Sequence, residues 1–239
     1  MVKGRYHHGE LRGALLDAAE ALVRERGADG WSLREASARV GVSPSAAYHH
    51  FAARDALVRA LSERVLARLG ERMSRAAGTS GTEGDPYRRV VAAGRGYVTW
   101  ALEDPAVARL VFGAGATGPD SVISPHPHDV VAAELDRLVG AGALAAASRP
   151  GAEFVVWAAV HGLAALLADG LVRLDGVPAV EREAERVIRA VLTGLAHEPT
   201  PSQEWPDARS NHTERLVRRQ EAAGEQGAGR RVRPGDRPR

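Results

Sequence analysis

Residues 32–50 read SLREASARVGVSPSAAYHH, and this stretch leaves the backbone few choices. Ser32, with Glu35 three residues on, forms the S-x-x-E box that opens a helix. Leu33, Ala36 and Val40 then recur at helical spacing, and Gly41 supplies a residue that closes a helix in the left-handed conformation at little cost. Ser43 is the next N-cap. Pro44 stands at the first helical position, where its missing N–H costs nothing. Two short helices, over 32–40 and 44–50, are thus joined by Gly41, Val42 and Ser43, which is the plan of a helix-turn-helix. Ser37, Gly41 and Ala47 are small where the two helices must approach, Val42 plugs the turn, and Phe51 is expected to be buried against a preceding helix.

Such a unit offers its second helix to the major groove of duplex DNA. The first turn of that helix presents free N–H groups and a positive dipole end to phosphate. Ser43 and Ser45 can donate hydroxyl bonds to phosphate or a base edge, and Ala46 is small enough to meet a thymine methyl. Tyr48, His49 and His50 are donors at the far end of the helix, and Arg54 adds a full charge one turn later. Ser32 at the N-cap and Arg5 in the N-terminal arm, with Lys3 beside it, complete the candidate set for DNA contact. A metal is the poorer reading of the paired histidines. Adjacent helical residues point about 100° apart and cannot chelate one ion. The same holds for His7 and His8, and HExxH is absent. His126, His128 and Asp129 have chelating spacing but also fit a solvated loop, so no metal and no cofactor is assigned.

The rest of the 239-residue chain reads as helix after helix, without strand alternation. Leu11, Leu15, Ala18 and Leu22 mark a first helix, closed by Gly27, and a fourth spans 54–75. GTSGTEGD at 78–85 is a break, followed by helices near 86–103, 105–113, 128–145, 150–173 and 178–197, with a Gly/Pro-rich loop at 113–127. The fold class is therefore all-α. The divisions are an arm and helix-turn-helix domain at 1–53, a connecting helix at 54–77, a helical domain at 78–198, to which the resemblance described below assigns effector binding and dimerisation, and a disordered tail at 199–239.

Charge follows the same division. Residues 1–69 hold 11 Lys and Arg against 8 Asp and Glu, residues 70–198 hold 12 against 16, and residues 199–239 hold 9 against 6. A basic front on a mildly acidic body points to an anionic partner for the front alone. Cysteine is absent, which excludes disulfides and thiolate chemistry, and no carboxylate pair or nucleophile–base spacing suggests an enzyme. Neither a leader-like segment nor a membrane-spanning run is visible, so a cytoplasmic location is expected.

Aromatic residues make up 5% of the chain, so their grouping carries information. Tyr97 and Trp100 share one helix, Phe112 ends the next, and Phe154, Trp157 and His161 step along another. All six fit plain core positions. They equally fit an apolar effector cavity with polar points at Tyr97, Trp157 and His161, and with the 113–127 loop as its rim. Ala158, Gly162 and Ala165 form a strip that permits close helix approach, and Val187, Val191, Leu192 and Leu195 line the last helix. These seven are the candidates for a dimer interface, against the alternative of a seam within one chain.

LLDAAEALVRERGADGWSLREASARVGVSPSAAYHHFAARDAL, residues 15–57, resembles the DNA-binding domain of the TetR-type transcriptional regulators. The resemblance rests on A-x-x-L-x-x-x-x-G, then R-E…G-V-S, then Y-x-H-F followed by a basic residue and A-L. RYHHGELR and FVVWAAVHGLAALL, with Trp157, His161 and Gly162, are similar to a subgroup whose C-terminal domain carries W…HG. The resemblance implies an all-helical homodimer of about nine helices that binds a palindromic operator through its N-terminal domains. Its C-terminal domain would dimerise through a four-helix interface and bind a small molecule. By position, Ser43, Ser45, Tyr48, His50 and Arg54 fall where the family contacts DNA, with Arg54 in place of a more usual lysine. Ala36 and Ala47 replace larger aliphatics and Ser37 replaces a usual alanine, so the helix-turn-helix core is expected to be lightly packed; His49 stands where arginine is frequent, which speaks against specific base readout at that position.

The expected activity is repression relieved by an effector, which shifts the spacing of the two recognition helices through the fourth helix. An activator that stays on DNA shares the same sequence marks. A helical small-molecule carrier would show no sequence-selective duplex binding. A packaging protein acting through Arg230, Arg231, Arg233, Arg237 and Arg239 would lose DNA when truncated after His197.

Overall fold

The computed structural model describes residues 8–81, 84–112 and 123–197. Lys3, Arg5, His7, most of the 113–127 loop and the 199–239 tail lie outside the described residues. Within them are nine α-helices, one short 3₁₀ turn and no strand: α1 (His8–Arg26), α2 (Leu33–Val40), α3 (Pro44–Tyr48), α4 (Arg54–Thr79), α5 (Arg88–Glu103), α6 (Pro105–Val111), α7 (Pro127–Gly140), α8 (Ala152–Ala168) and α9 (Gly176–His197). The all-α reading holds.

The caps form as the sequence requires. The Ser32 hydroxyl accepts from the Glu35 N–H (3.3 Å), and the Glu35 carboxylate accepts from the Ser32 N–H (2.9 Å), closing the box. Gly41 takes φ +78, and the next N–H, that of Val42, reaches back to the Ser37 carbonyl at 3.0 Å. Ser43 caps α3 by accepting from the Ala46 N–H at 3.2 Å, with Pro44 in its first turn.

α3 is shorter than expected. The helix closes at Tyr48 because the N–H groups of His50 and Phe51 both turn onto the Ala47 carbonyl, at 2.9 and 3.0 Å, while Phe51 dives into the core. α8 also ends early, at Ala168 rather than near 173. Asp169-Gly170 breaks it with a left-handed glycine, and Leu171 and Val172 fold back onto the Leu166 carbonyl. α7 stops at Gly140, where its expected last residues, 141–145, form turns instead, and a 3₁₀ turn over Ala146–Ser148 follows.

Two apolar cores organise these helices. The first gathers α1, α2, α3 and the N-terminal half of α4 around Leu15, Leu22, Trp31, Phe51, Leu57 and Leu61. The second gathers the C-terminal half of α4 with α5, α7, α8 and α9 around Leu69, Met73, Tyr97, Leu135, Ile188 and Leu192. The changeover along α4 falls between Leu66 and Leu69. α6 buries Val107, Leu110 and Val111 in the first core, while Ala108 packs against the second. Two glycines let elements touch where no side chain fits. A Cβ on Gly94 would stand 2.4 Å from Ile188 Cδ1, so α5 lies directly on α9, and one on Gly70 would stand 1.9 Å from the Pro125 carbonyl oxygen.

Candidate DNA-contact face and ligand cavity

The helix-turn-helix is close-packed at its centre rather than loose. Ala36, Ser37 and Ala47 are all fully buried, and the Ser37 hydroxyl is satisfied by the Leu33 carbonyl at 2.7 Å. Their small size lets α2 and α3 approach, so the substitutions that suggested light packing are what close contact needs.

On the outer side of α3, Ser43, Ser45 and His49 are exposed, Tyr48 is 48% exposed, and Ala46 and His50 are half-buried. Ser43 spends an acceptor lone pair on its cap, which leaves its own proton to donate outward. Two expected contacts are placed otherwise. Ser32 commits its hydroxyl to both roles of the capping box, donating to Glu35 Oε2 at 2.9 Å as well as accepting. Arg54 is folded back onto the α1–α2 loop: its guanidinium lies 4.6 Å over the Trp31 ring, and it donates to the carbonyls of Trp31 (3.1 Å) and Ala28. Its fork ties α4 to that loop instead of projecting a charge outward.

The cation at this end of the face is one the sequence reading passed over. Arg12 on α1 is exposed, sits 5.2 Å over the Phe51 ring, and has no acidic partner among the described residues. Arg34 on the outer side of α2 is likewise exposed and unpaired among them, while Arg39 is bound to Glu25 at 2.5 Å. Arg12 was hidden because its place beside α3 depends on how α1 packs, not on local spacing.

In the body, the expected aromatic residues converge. The Tyr97 ring lies 5.0 Å from Trp157, 5.9 Å from Phe112 and 6.1 Å from Trp100, and Phe112 meets His161 edge-on at 4.9 Å. The Tyr97 hydroxyl lies 2.7 Å from His161 Nδ1. Burial raises the phenol well above its ordinary range and lowers the imidazole below its own, so both are neutral at pH 7.

Beside this cluster is a cavity of about 290 Å³ between α5, α6 and α8. Tyr97, Phe112 and His161 form one wall, and Ala101, Ala108 and Ala164 face it. Trp100 and Trp157 back the cluster without lining the space, and Phe154, two turns before His161 on α8, is 48% exposed and also outside the lining. At the rim Arg109 donates to Asp169 (3.0 Å) and to the Ala168 carbonyl (3.1 Å), a pair the sequence reading missed because it spans α6 and the end of α8. His126, with its chelating spacing, instead caps α7 by accepting from the His128 N–H at 3.1 Å. Among the described residues no group of three His, Asp or Glu is placed to hold a metal ion, and no helix is long and apolar enough to cross a membrane.

A polar network joins cavity and head. Glu20 of α1 is buried and accepts from Arg24 (2.5 Å), Arg68 (2.7 Å) and Arg64 (2.9 Å). Burial raises its carboxyl, but Arg68 and Arg24 outweigh that and hold it below the ordinary carboxylate range. Arg24 in turn binds Asp104 at 2.7 Å, the residue that opens α6.

A helix-turn-helix with exposed donors on its second helix, set on a helical body, is the plan of a DNA-binding transcriptional regulator. Residues 15–61 match the family described as bacterial regulatory proteins, tetR family, and residues 90–191 match the one described as the tetracyclin repressor-like C-terminal domain. The chain belongs to the TetR family of transcriptional regulators. Among solved structures it is similar to a protein of unknown function from Rhodococcus sp. RHA1, at 29% identity and a TM-score of 0.63, over 82% of this chain and 100% of that one. A TetR-family regulator from Pectobacterium atrosepticum aligns at 24% identity and a TM-score of 0.61, over 82% and 100%. MexZ of Pseudomonas aeruginosa, described as a key repressor responsible for antibiotic resistance, aligns at 21% identity and a TM-score of 0.53, over 79% and 96%. The last two likenesses speak to the fold alone. A search of curated proteins finds no match.

Proposed function

We propose that the protein is a repressor that binds a palindromic operator as a homodimer and leaves it when a small molecule fills the α5–α6–α8 cavity. The observation that carries this is the double membership of α6. Its outer residues Pro105, Ala108 and Arg109 line the cavity, while Val107, Leu110 and Val111 sit in the core of the DNA-binding head and Asp104 is bonded to α1. An occupant that moves α6 must also move the head, because close-packed cores shift between discrete arrangements rather than stretch. α4, running through both cores, transmits the same motion.

DNA contact is assigned to Ser43, Ser45, Ala46, Tyr48, His49 and His50 on α3, with Arg12 added from α1 and Arg5 from the arm. The Ser32 hydroxyl and the Arg54 guanidinium keep their structural roles. In a dimer the two copies of α3 would enter successive major grooves one turn apart, roughly 34–36 Å.

The dimer surface is assigned to α8. This helix carries no charge after Glu153, and one side of it stays open: Val155 (38% exposed), Ala158, Gly162, Ala165 and Leu166 (43% exposed). A Cβ on Gly162 would touch nothing, so the gap is not used within the chain and suits a second copy of the helix. Leu192 and Leu195 are removed from the expected interface because both are buried in this chain's own core, and Val187 and Val191 pack half-buried against it. Leu166→Glu tests the assignment. Sedimentation should show a monomer whose operator affinity collapses although α3 is untouched; a persisting dimer would place the interface elsewhere.

A further inference from the structure

The cavity holds one hydrogen-bond donor whose identity is fixed by its neighbour. The Tyr97 side chain is 1% exposed, and its proton needs an acceptor. Among the described residues, His161 Nδ1 at 2.7 Å is the one within reach. The phenol therefore donates to Nδ1, and the neutral imidazole carries its own proton on Nε2. Nε2–H meets no protein acceptor among the described residues and is not sealed from solvent, while His161 forms part of the cavity wall.

The rest of the lining is apolar or internally neutralised. Tyr97 and Phe112 present ring surface, the alanines opposite present methyl groups, and Arg109 is already paired with Asp169. Arg109 and Asp169, the two charged side chains of the lining, are bonded to each other, so a charged guest would have to compete with that pair for its counter-charge, and burying it unpaired is costly. About 290 Å³ lies near the lower end of the range for ligand sites and suits a bicyclic molecule rather than a large drug.

We infer that the cavity takes an uncharged, flat aromatic molecule of about two fused rings carrying one hydrogen-bond acceptor, which His161 Nε2–H recognises. This rests on the reading of the cavity as the effector site, but its chemistry can be tested apart from any effect on DNA.

The probes are naphthyl methyl ketone, its hydrocarbon counterpart isopropenylnaphthalene, and naphthoate, each titrated into the full chain by tryptophan fluorescence. The ketone should bind about tenfold more tightly than the hydrocarbon, the ratio that one net hydrogen bond supplies, and naphthoate should bind weakest. His161→Phe keeps a ring in the wall and should make ketone and hydrocarbon equal. Nitrogen NMR of the ligand-free protein should show His161 protonated on Nε2, a signature lost in Tyr97→Phe. Equal binding of ketone and hydrocarbon by the unaltered chain, preference for naphthoate, no binding by any probe, or a proton on Nδ1 would each overturn the inference. A ketone that binds with the expected ratio yet leaves operator affinity unchanged upholds the ligand class and sinks the effector-release reading alone.

Discussion

Arg12 and Arg54 show how two arginines near one helix come to do different work. Arg54 spends its fork on two carbonyls and a tryptophan face, which a lysine could not reproduce. Arg54→Ala is therefore expected to lower thermal stability by roughly 1–3 kcal/mol, and Arg54→Lys should recover little of it. Arg12→Ala should leave the melting temperature nearly unchanged, weaken binding across DNA sequences alike, and reduce the salt slope by about one. Calorimetry paired with a salt series separates the two, and the reverse pattern would restore Arg54 to the DNA face. His161 adds a pH dependence. Its folded pKa lies below the unfolded value of about 6.5, so its contribution to stability is complete above that pH and is lost as pH falls through it. His161→Phe should flatten this part of the melting-temperature profile below about pH 6.5.

At the scale of elements, what could be read from the sequence was whatever depends on near neighbours. The capping box at Ser32, the Gly41 stop and the Ser43-Pro44 start fix α2 and α3 within a few residues of chain, and all three form as expected. The early end of α8 was legible too, in Asp169-Gly170, but the apolar run of that helix drew attention past it. Position along a helix did not reveal which side faces what. α9 carries apolar residues on two sides, and only packing against α5 and α8 shows that Leu192 and Leu195 point inward. Close approach was equally invisible. Gly→Ala inside a helix ordinarily gains about 0.5–1 kcal/mol. Gly70→Ala should instead destabilise, because its Cβ would collide with the Pro125 backbone. Gly94→Ala meets side chain rather than backbone, chiefly the tip of Ile188, and should cost less. Melting temperatures of the two variants should fall in that order, and a stabilised Gly70→Ala would mean the α4–Pro125 contact is misjudged.

Across the whole molecule, the expected boundary near residue 78 is less telling than the change of core along α4 and the assignment of α6 to the head. Neither could be seen without long-range packing, yet both bear on how a ligand could be felt at the DNA. If the Arg24–Asp104 contact carries part of that coupling, Asp104→Asn should bind operator nearly as well as the unaltered chain but respond less to ligand. The quantity to compare is the ratio of operator affinities with and without ligand, which for such couplings is commonly 5–150-fold. An unchanged ratio would leave α4 as the sole route.

The central claim is that α3 reads duplex DNA. Selection of random duplexes on the purified full chain, with binding re-measured across a salt series, tests it most directly. A palindrome should be recovered, with half-sites about one helical turn apart, weakened by Tyr48→Ala and retained when the chain is truncated after His197. Binding without sequence preference that disappears with the arginine-rich tail, or no duplex binding at all, would contradict the account.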